Sequence, residues 1–197
     1  MRNSHKIRNV LFGVWAFLAL TTSTWMMAWH SVVFPVLSSN RTSSNAVAGV
    51  WNIRHYLSPD CACSRRTAVY LIKRGPLHGT AEEVFVIGAG EGATRMKTQL
   101  SGGGFRVTAL TAEQASARDG IQGVPVLEIV APDGKIAFRG GYRKWGQSPN
   151  DYEDVTLLSQ LKASRHVETL PVLGCAVSER LRKQLDPLGL KQKGYLQ

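Results

Sequence analysis

Acidic side chains are in short supply in this 197-residue chain, 14 against 24 lysines and arginines, which leaves a formal net charge of +10. The excess is spread over both ends and the middle, in Arg2, Lys6 and Arg8 and again in Lys183, Lys191 and Lys193. A nucleic-acid surface needs that charge on one face of a recognisable module; none is present, so no nucleic-acid partner is expected. Attraction to anionic lipid headgroups accounts for the charge more simply. No G-x-x-x-x-G-K-[ST] sequence occurs, which excludes a P-loop. No C-x-x-C…C-x-x-C or H-x-x-x-H spacing occurs either, so no zinc site is expected. Cysteine itself is scarce. Cys61, Cys63 and Cys175 are the whole supply, and any pairing among three leaves one sulfur over.

Formal charge is also missing from the twenty residues Val10 to Trp29, enough to cross a hydrocarbon core of about 30 Å as a helix. Arg2, Lys6 and Arg8 precede the run and should stay cytoplasmic, placing the rest of the chain in a periplasmic or other extracytoplasmic space. The run is longer than the roughly 7 to 15 apolar residues of a cleaved signal peptide, and Met26-Met27-Ala28 makes a poor small-x-small cleavage site. A retained single-pass anchor is expected. The organisation read from these features is a basic segment over 1–9, an anchor over 10–37 and a flexible polar linker over 38–49. One folded domain follows over 50–163, then a helical extension with a basic tail over 164–197. Asn40-Arg41-Thr42 in the linker matches a glycosylation acceptor, a triplet that matters only in a eukaryotic secretory route.

What is present in the folded part is alternation. Val50 to Leu57 reads as a strand, Arg65 to Lys73 as a helix with Ala68, Leu71 and Ile72 on one face, and Glu83 to Ile87 as a second strand. A helix near Ala93 to Leu100 follows, then the break Gly102 to Gly104, then a strand over Phe105 to Leu110. Thr111-x-x-Gln114 is a capping-box pattern opening a short helix to Arg118. Val126 to Val130 is an apolar strand, turned by Pro132-Asp133-Gly134 into Lys135 to Arg139. Val155, Leu158 and Leu161 share a helical face, and a last helix spans Ser178 to Leu185. This order implies an α/β fold: a parallel sheet finished by an antiparallel hairpin, with helices on both faces.

The stretch Ser58-Pro59-Asp60-Cys61-Ala62-Cys63-Ser64 lies at the first strand-to-helix junction. The unpaired N–H groups and partial positive charge of a helix's first turn favour thiolate over thiol there. Arg65 and Arg66 act in the same direction and Asp60 against it. Residues at i and i+3 share a helix face, so Ser64 can face Cys61 without bonding it covalently. A Cys61 to Cys63 disulfide requires Cys61 to precede the regular helix, because residues at i and i+2 of a helix do not face each other. Otherwise Cys175 becomes the natural partner of Cys61.

Cysteines after the first strand, together with Gly123-Val124-Pro125-Val126 entering the hairpin, resemble the thioredoxin-like superfamily. The tether makes the chain look most like its exported TlpA and ResA-type branch, over roughly Val50 to Ala163. The departure is Cys61-Ala62-Cys63-Ser64 in place of C-x-x-C. The resemblance implies a cis Val124–Pro125 bond facing the cysteines, and a Val124 backbone free to pair with an extended substrate peptide. It implies thiol–disulfide exchange with a protein dithiol or disulfide client, with no cofactor. Cys61 would attack, Cys63 or Cys175 would resolve, and Ser64, Val124 and Pro125 would contact the substrate. Two other readings stand beside this one, a copper(I) metallochaperone holding the metal between Cys61 and Cys63 and a redox-inactive binding module. Cys175 has a plainer reading as a small buried hydrophobe or a staple for the tail.

Other signals carry less. Gly88-Ala89-Gly90-Glu91-Gly92-Ala93 fits a relaxed dinucleotide fingerprint but follows the wrong strand and lacks the distal acidic residue, so it reads as a loop. His55 lies mid-strand and His78 and His166 in loops, each read as an ordinary surface or half-buried residue. Trp51 is expected in the core, and Trp145 at the rim of a groove or packed on a loop.

Overall fold

The computed structural model of the protein describes residues 2–30, 33–34 and 46–185. The linker from 38 to 45, its glycosylation triplet and the tail from 186 lie outside the described residues. The chain forms two compact units, Met1–Val32 and Val33–Gln197.

In the first unit the charge-free run lies within one long helix, α1 (Arg2–His30). Its threonines do not interrupt it, because Thr21 and Thr22 donate their hydroxyls back to the carbonyls of Phe17 and Leu18, at 2.9 and 2.7 Å. Among the described residues no helix is long and apolar enough to cross a membrane. The side chains of the run from Thr24 onward lie outside them.

In the second unit a short strand β1 (Val33–Phe34) precedes the domain. The domain is laid out around β2 (Trp51–Leu57), which passes into α2 (Ala62–Arg74), β3 (Thr80–Ile87), α3 (Gly90–Gly102), β4 (Arg106–Leu110) and α4 (Ala112–Asp119). A two-residue strand β5 (Gly123–Val124) then leads into the hairpin β6 (Val126–Val130) and β7 (Ile136–Gly140), followed by α5 (Asp154–Lys162). The five long strands form one mixed sheet in the order β4-β3-β2-β6-β7, with β2, β3 and β4 parallel and β6 and β7 antiparallel. The expected architecture of parallel strands closed by a hairpin is present. Thr111 and Gln114 form the capping box of α4 through both reciprocal bonds.

Side chains alternate across β2, so Ile53, His55 and Leu57 point to one face and Arg54 and Tyr56 to the other. The first face carries the apolar core. Leu57, Leu71, Val84, Val86, Met96 and Leu100 pack beneath α2 and α3, and Ile53, Leu127, Ile129, Phe138, Leu157 and Leu158 beneath α5. Each such aliphatic side chain contributes about 1.5–3 kcal/mol by burial. The second face, covered by α4, holds an ion cluster. Glu128 is buried between Arg54, at 3.2 Å, and Arg139, whose guanidinium also reaches the Asp119 carbonyl at 2.9 Å. Trp51, expected in the core, is only half-buried at the start of β2.

The extension was expected to lie outside the domain, and here the structure corrects the sequence reading. After α5 the chain returns as β8 (Val172–Leu173) and β9 (Cys175–Ala176), ending in a short helix α6 (Glu179–Leu185). β8 pairs with β1 and β9 pairs with β5. Leu170, Val172, Ala176 and Val177 are buried. The physical reason is room left by glycine. A Cβ on Gly140 would stand 2.6 Å from the Leu170 carbonyl, and one on Gly141 would run into the Pro171 carbonyl. Without them the returning segment lies directly against the end of β7, and Gly141 N–H donates to Leu170 O at 3.0 Å.

Candidate thiol site

Pro59 and Asp60 turn the chain out of β2, and the Cys61 N–H closes that turn on the Ser58 carbonyl at 3.2 Å. Gly88 and Gly92, the glycines of the dinucleotide-like pattern, serve this turn. Each lacks the Cβ that would crowd the Pro59 ring, at 3.4 and 3.3 Å. Helix α2 begins at Ala62, three residues earlier than periodicity suggested, with Cys61 as its N-cap in an extended conformation (φ −108, ψ 119). Cys61 therefore precedes the regular helix, which is the condition under which Cys61 and Cys63 can face each other. No acidic residue lies in the first turn and no side chain caps it, so its amides are left to the sulfur.

The Cys61 side chain is fully buried, with its sulfur 3.5 Å from the Val124 carbonyl oxygen. Its surroundings are polar. The neighbouring Cys175 and Cys63 thiols, together with the Ser64 amide, outweigh burial and hold Cys61 below the ordinary thiol range. Cys63 and Cys175 are pushed far above that range, first because each gives its hydrogen to Cys61 and then by burial. All three cysteines are free, and Cys61 is the one whose surroundings favour the thiolate. Ser64 is fully buried, and its hydroxyl has no partner in the resting arrangement. It faces the Cys61 sulfur and becomes a donor once that sulfur is charged. Asp60 is turned toward Arg182, at 3.6 Å.

The Val124–Pro125 peptide is cis. The Val124 backbone, expected to be free for a substrate strand, is occupied. Val124 pairs with Cys175 and Gly123 with Ala176, antiparallel, and Val177 N–H donates to Gln122 O at 2.9 Å. Any Cβ on Gly174 would run into the Val124 carbonyl and stand 2.9 Å from Pro125 Cδ, so only glycine allows this approach. The pairing carries Cys175 to Cys61. Cys175 thus lies in the segment that covers the Val124 edge.

Several neighbours were not foreseen. A cavity opens beside Cys63, with Arg66, Thr67 and Tyr152 on one side and Pro125, Tyr142, Arg143 and Pro171 on the other. Trp145 is exposed and does not line it. Behind Tyr142 lies a buried chain of polar groups. Its hydroxyl is 2.6 Å from His55 Nδ1, and His55 Nε2 is 2.7 Å from Glu82, which is also bound by Arg74 and by the Leu77 amide at 2.7 Å. Arg74 continues to Asp154 at 3.3 Å. His55, read as a surface or half-buried residue, is completely enclosed, and the alternation of β2 was the signal that could have placed it. Gly140-Gly141 and Gly174 were the signals for a close backbone approach. Among the described residues no group of three or more His, Cys, Asp or Glu side chains is arranged to hold a metal ion.

Neither protein-family models nor curated proteins give a match to the sequence. Solved structures do resemble the fold. A hypothetical protein from Sinorhizobium meliloti 1021 is 12% identical with a TM-score of 0.53, over 75% of this chain and 96% of that one. An uncharacterized conserved protein from Geobacillus kaustophilus is 13% identical with a TM-score of 0.50, over 75% and 90%. A putative thioredoxin from Neisseria meningitidis is 14% identical over 68% and 87%, at a TM-score of 0.46. At these identities the likeness is one of fold. The mixed sheet, with a cis proline beside a cysteine at the end of its central strand, is thioredoxin-like.

Proposed function

We propose that the protein is a thiol–disulfide oxidoreductase acting on an exported protein partner, with Cys61 as the attacking thiolate and Cys63 or Cys175 as the resolving sulfur. The observation that carries this reading is Cys61 at the start of α2 with its sulfur 3.5 Å from the carbonyl of the cis Val124–Pro125 bond, Cys63 in the same turn and Cys175 paired with Val124. A thiolate is the species that attacks a disulfide, and a neighbouring thiol completes the exchange. Because Cys61 is fully covered at rest, a mixed disulfide with a protein client requires the Gly174–Ala176 stretch to lift from Gly123 and Val124. We further propose that the charge-free run anchors the chain in the cytoplasmic membrane as a single pass, with the domain in the periplasm or its equivalent. The basic residues ahead of the run support that orientation.

The test is mass mapping of disulfides in protein acid-trapped at lysis, beside a disulfide-reduction assay. Cys61→Ser should lower turnover at least a hundredfold, and of Cys63→Ser and Cys175→Ser the one that removes the resolving sulfur should accumulate a mixed disulfide on Cys61. The protein should stay in membranes washed with alkaline carbonate. Full reductase activity in Cys61→Ser would refute the redox assignment, and release by the wash would refute the anchor.

A further inference from the structure

We propose that the cavity beside Cys63 is a binding site for a small disulfide or thiol bearing carboxylates, and that this molecule exchanges electrons with the three-sulfur cluster through Cys63. The proposal rests on the redox reading above and names the small-molecule partner of the same site.

Access comes first. Cys61 is sealed, and the edge beside it is filled by a segment whose Leu170, Val172, Ala176 and Val177 are buried. Lifting that segment would return those apolar side chains to water. Cys63 is only half-buried and forms part of a cavity wall, so a small molecule meets it without any such rearrangement.

Charge comes second. Arg66 and Arg143 both line the cavity, and neither has an acidic partner among the described residues. Both favour negative charge on Cys63 and on Tyr152, which places the two guanidinium groups around one spot. Among the described residues no acidic side chain lines the cavity. Two unpaired guanidinium forks beside a sulfur suit a ligand that carries its own carboxylates. Shape comes third. The recess is shallow and open to solvent, so a ligand would lie across its mouth with its sulfur against Cys63.

The chemistry balances without another reagent. Cys63 attacks one sulfur of the small disulfide and gives its proton to the departing ligand sulfur. That S–S bond breaks, a bond from Cys63 to the ligand sulfur forms, and one ligand thiol is released. The Cys61 thiolate then attacks the Cys63 sulfur, forming a Cys61–Cys63 disulfide and expelling the second ligand thiolate. One protein thiol and one protein thiolate have been oxidised, and the ligand disulfide has been reduced to one thiol and one thiolate. Attack by Cys175 on Cys61 then moves the bond to Cys61–Cys175 and returns Cys63 to the thiol, the Cys175 proton passing to it. The reverse sequence reduces the cluster.

The experiment uses the full chain carrying Cys61→Ser, so that a mixed disulfide on Cys63 cannot be resolved by Cys61. It is treated with dithiodiglycolate, hydroxyethyl disulfide or cystamine, which are anionic, neutral and cationic, and each rate is divided by that of a free small thiol with the same reagent. The expected result is modification of Cys63, mapped by peptide mass, about tenfold faster for the anion than for the neutral reagent and slowest for the cation. Arg66→Gln with Arg143→Gln should bring the three rates together, as should added salt. Equal rates for the three reagents, or modification of Cys175 ahead of Cys63, would overturn the proposal. If the charge order holds while wild-type protein fails to reduce any protein disulfide, the cavity stands and the client reading falls. Circular dichroism of each variant confirms that it is folded.

Discussion

At Cys61 the decisive quantity is a proton. Two neighbouring thiols and one backbone amide point at a sulfur that burial alone would keep neutral. Each hydrogen bond to a charged group is worth about 1.5–3 kcal/mol, so removing one donor should raise the Cys61 value by about 1–2 pH units. Reduced wild-type protein is therefore expected to show the ultraviolet absorbance of one thiolate at neutral pH. Cys61→Ser should abolish it, and Cys175→Ser or Cys63→Ser should move its titration upward. A thiolate band that survives in Cys61→Ser would place the charge on another sulfur. The placing of Cys61 and Cys63 at the start of a helix was legible in the sequence, because strand, turn and helix adjoin one another there. Cys175 was legible only as a third sulfur, since nothing local says what it approaches.

Among the elements, the short pairing of β5 with β9 covers the Val124 edge. It rests on Gly174, where the two backbones meet too closely for any side chain. Gly174→Ala is expected to lift the segment locally and destabilise the protein by about 2 kcal/mol, with at least a tenfold rise in alkylation of Cys61. Cys61 as protected in that variant as in wild type would show that the segment does not control access. The α4 cap shows the contrast. Its two bonds join residues three apart, so Thr111 and Gln114 declared it in advance. The β5–β9 pairing joins segments separated by the whole hairpin and α5, and periodicity cannot see across such a distance.

Across the whole molecule, Glu82 ties β3 to His55 of β2 and to Arg74 of α2, while Asp154 of α5 meets the same arginine. Burial works against the Glu82 charge, but His55 and Arg74 outweigh it and hold the carboxyl at about 2, below its ordinary 4.5. A carboxyl lowered on folding stabilises the native state fully above its unfolded value, and that contribution disappears as pH falls through the folded one. Wild-type stability to denaturant should therefore decline as pH falls from about 4.5 toward 2. Glu82→Gln should lose that part of the slope, and it should already be less stable at neutral pH by about 3–5 kcal/mol, because Arg74 is left buried with one carboxylate fewer. Parallel acid profiles in variant and wild type would remove Glu82 from the account. The sequence alone determined what is local: the alternation of strand and helix, the hairpin turn, the helix cap, the charge-free run and the pair of sulfurs at a helix start. Each depends on dihedral preference or side-chain period within a few residues. The third sulfur at the site, the covered Val124 edge, the two arginines beside Cys63 and the enclosure of His55 were decided only by the tertiary structure. They depend on how segments far apart in the chain pack together, and one chain's order of residues does not state that packing.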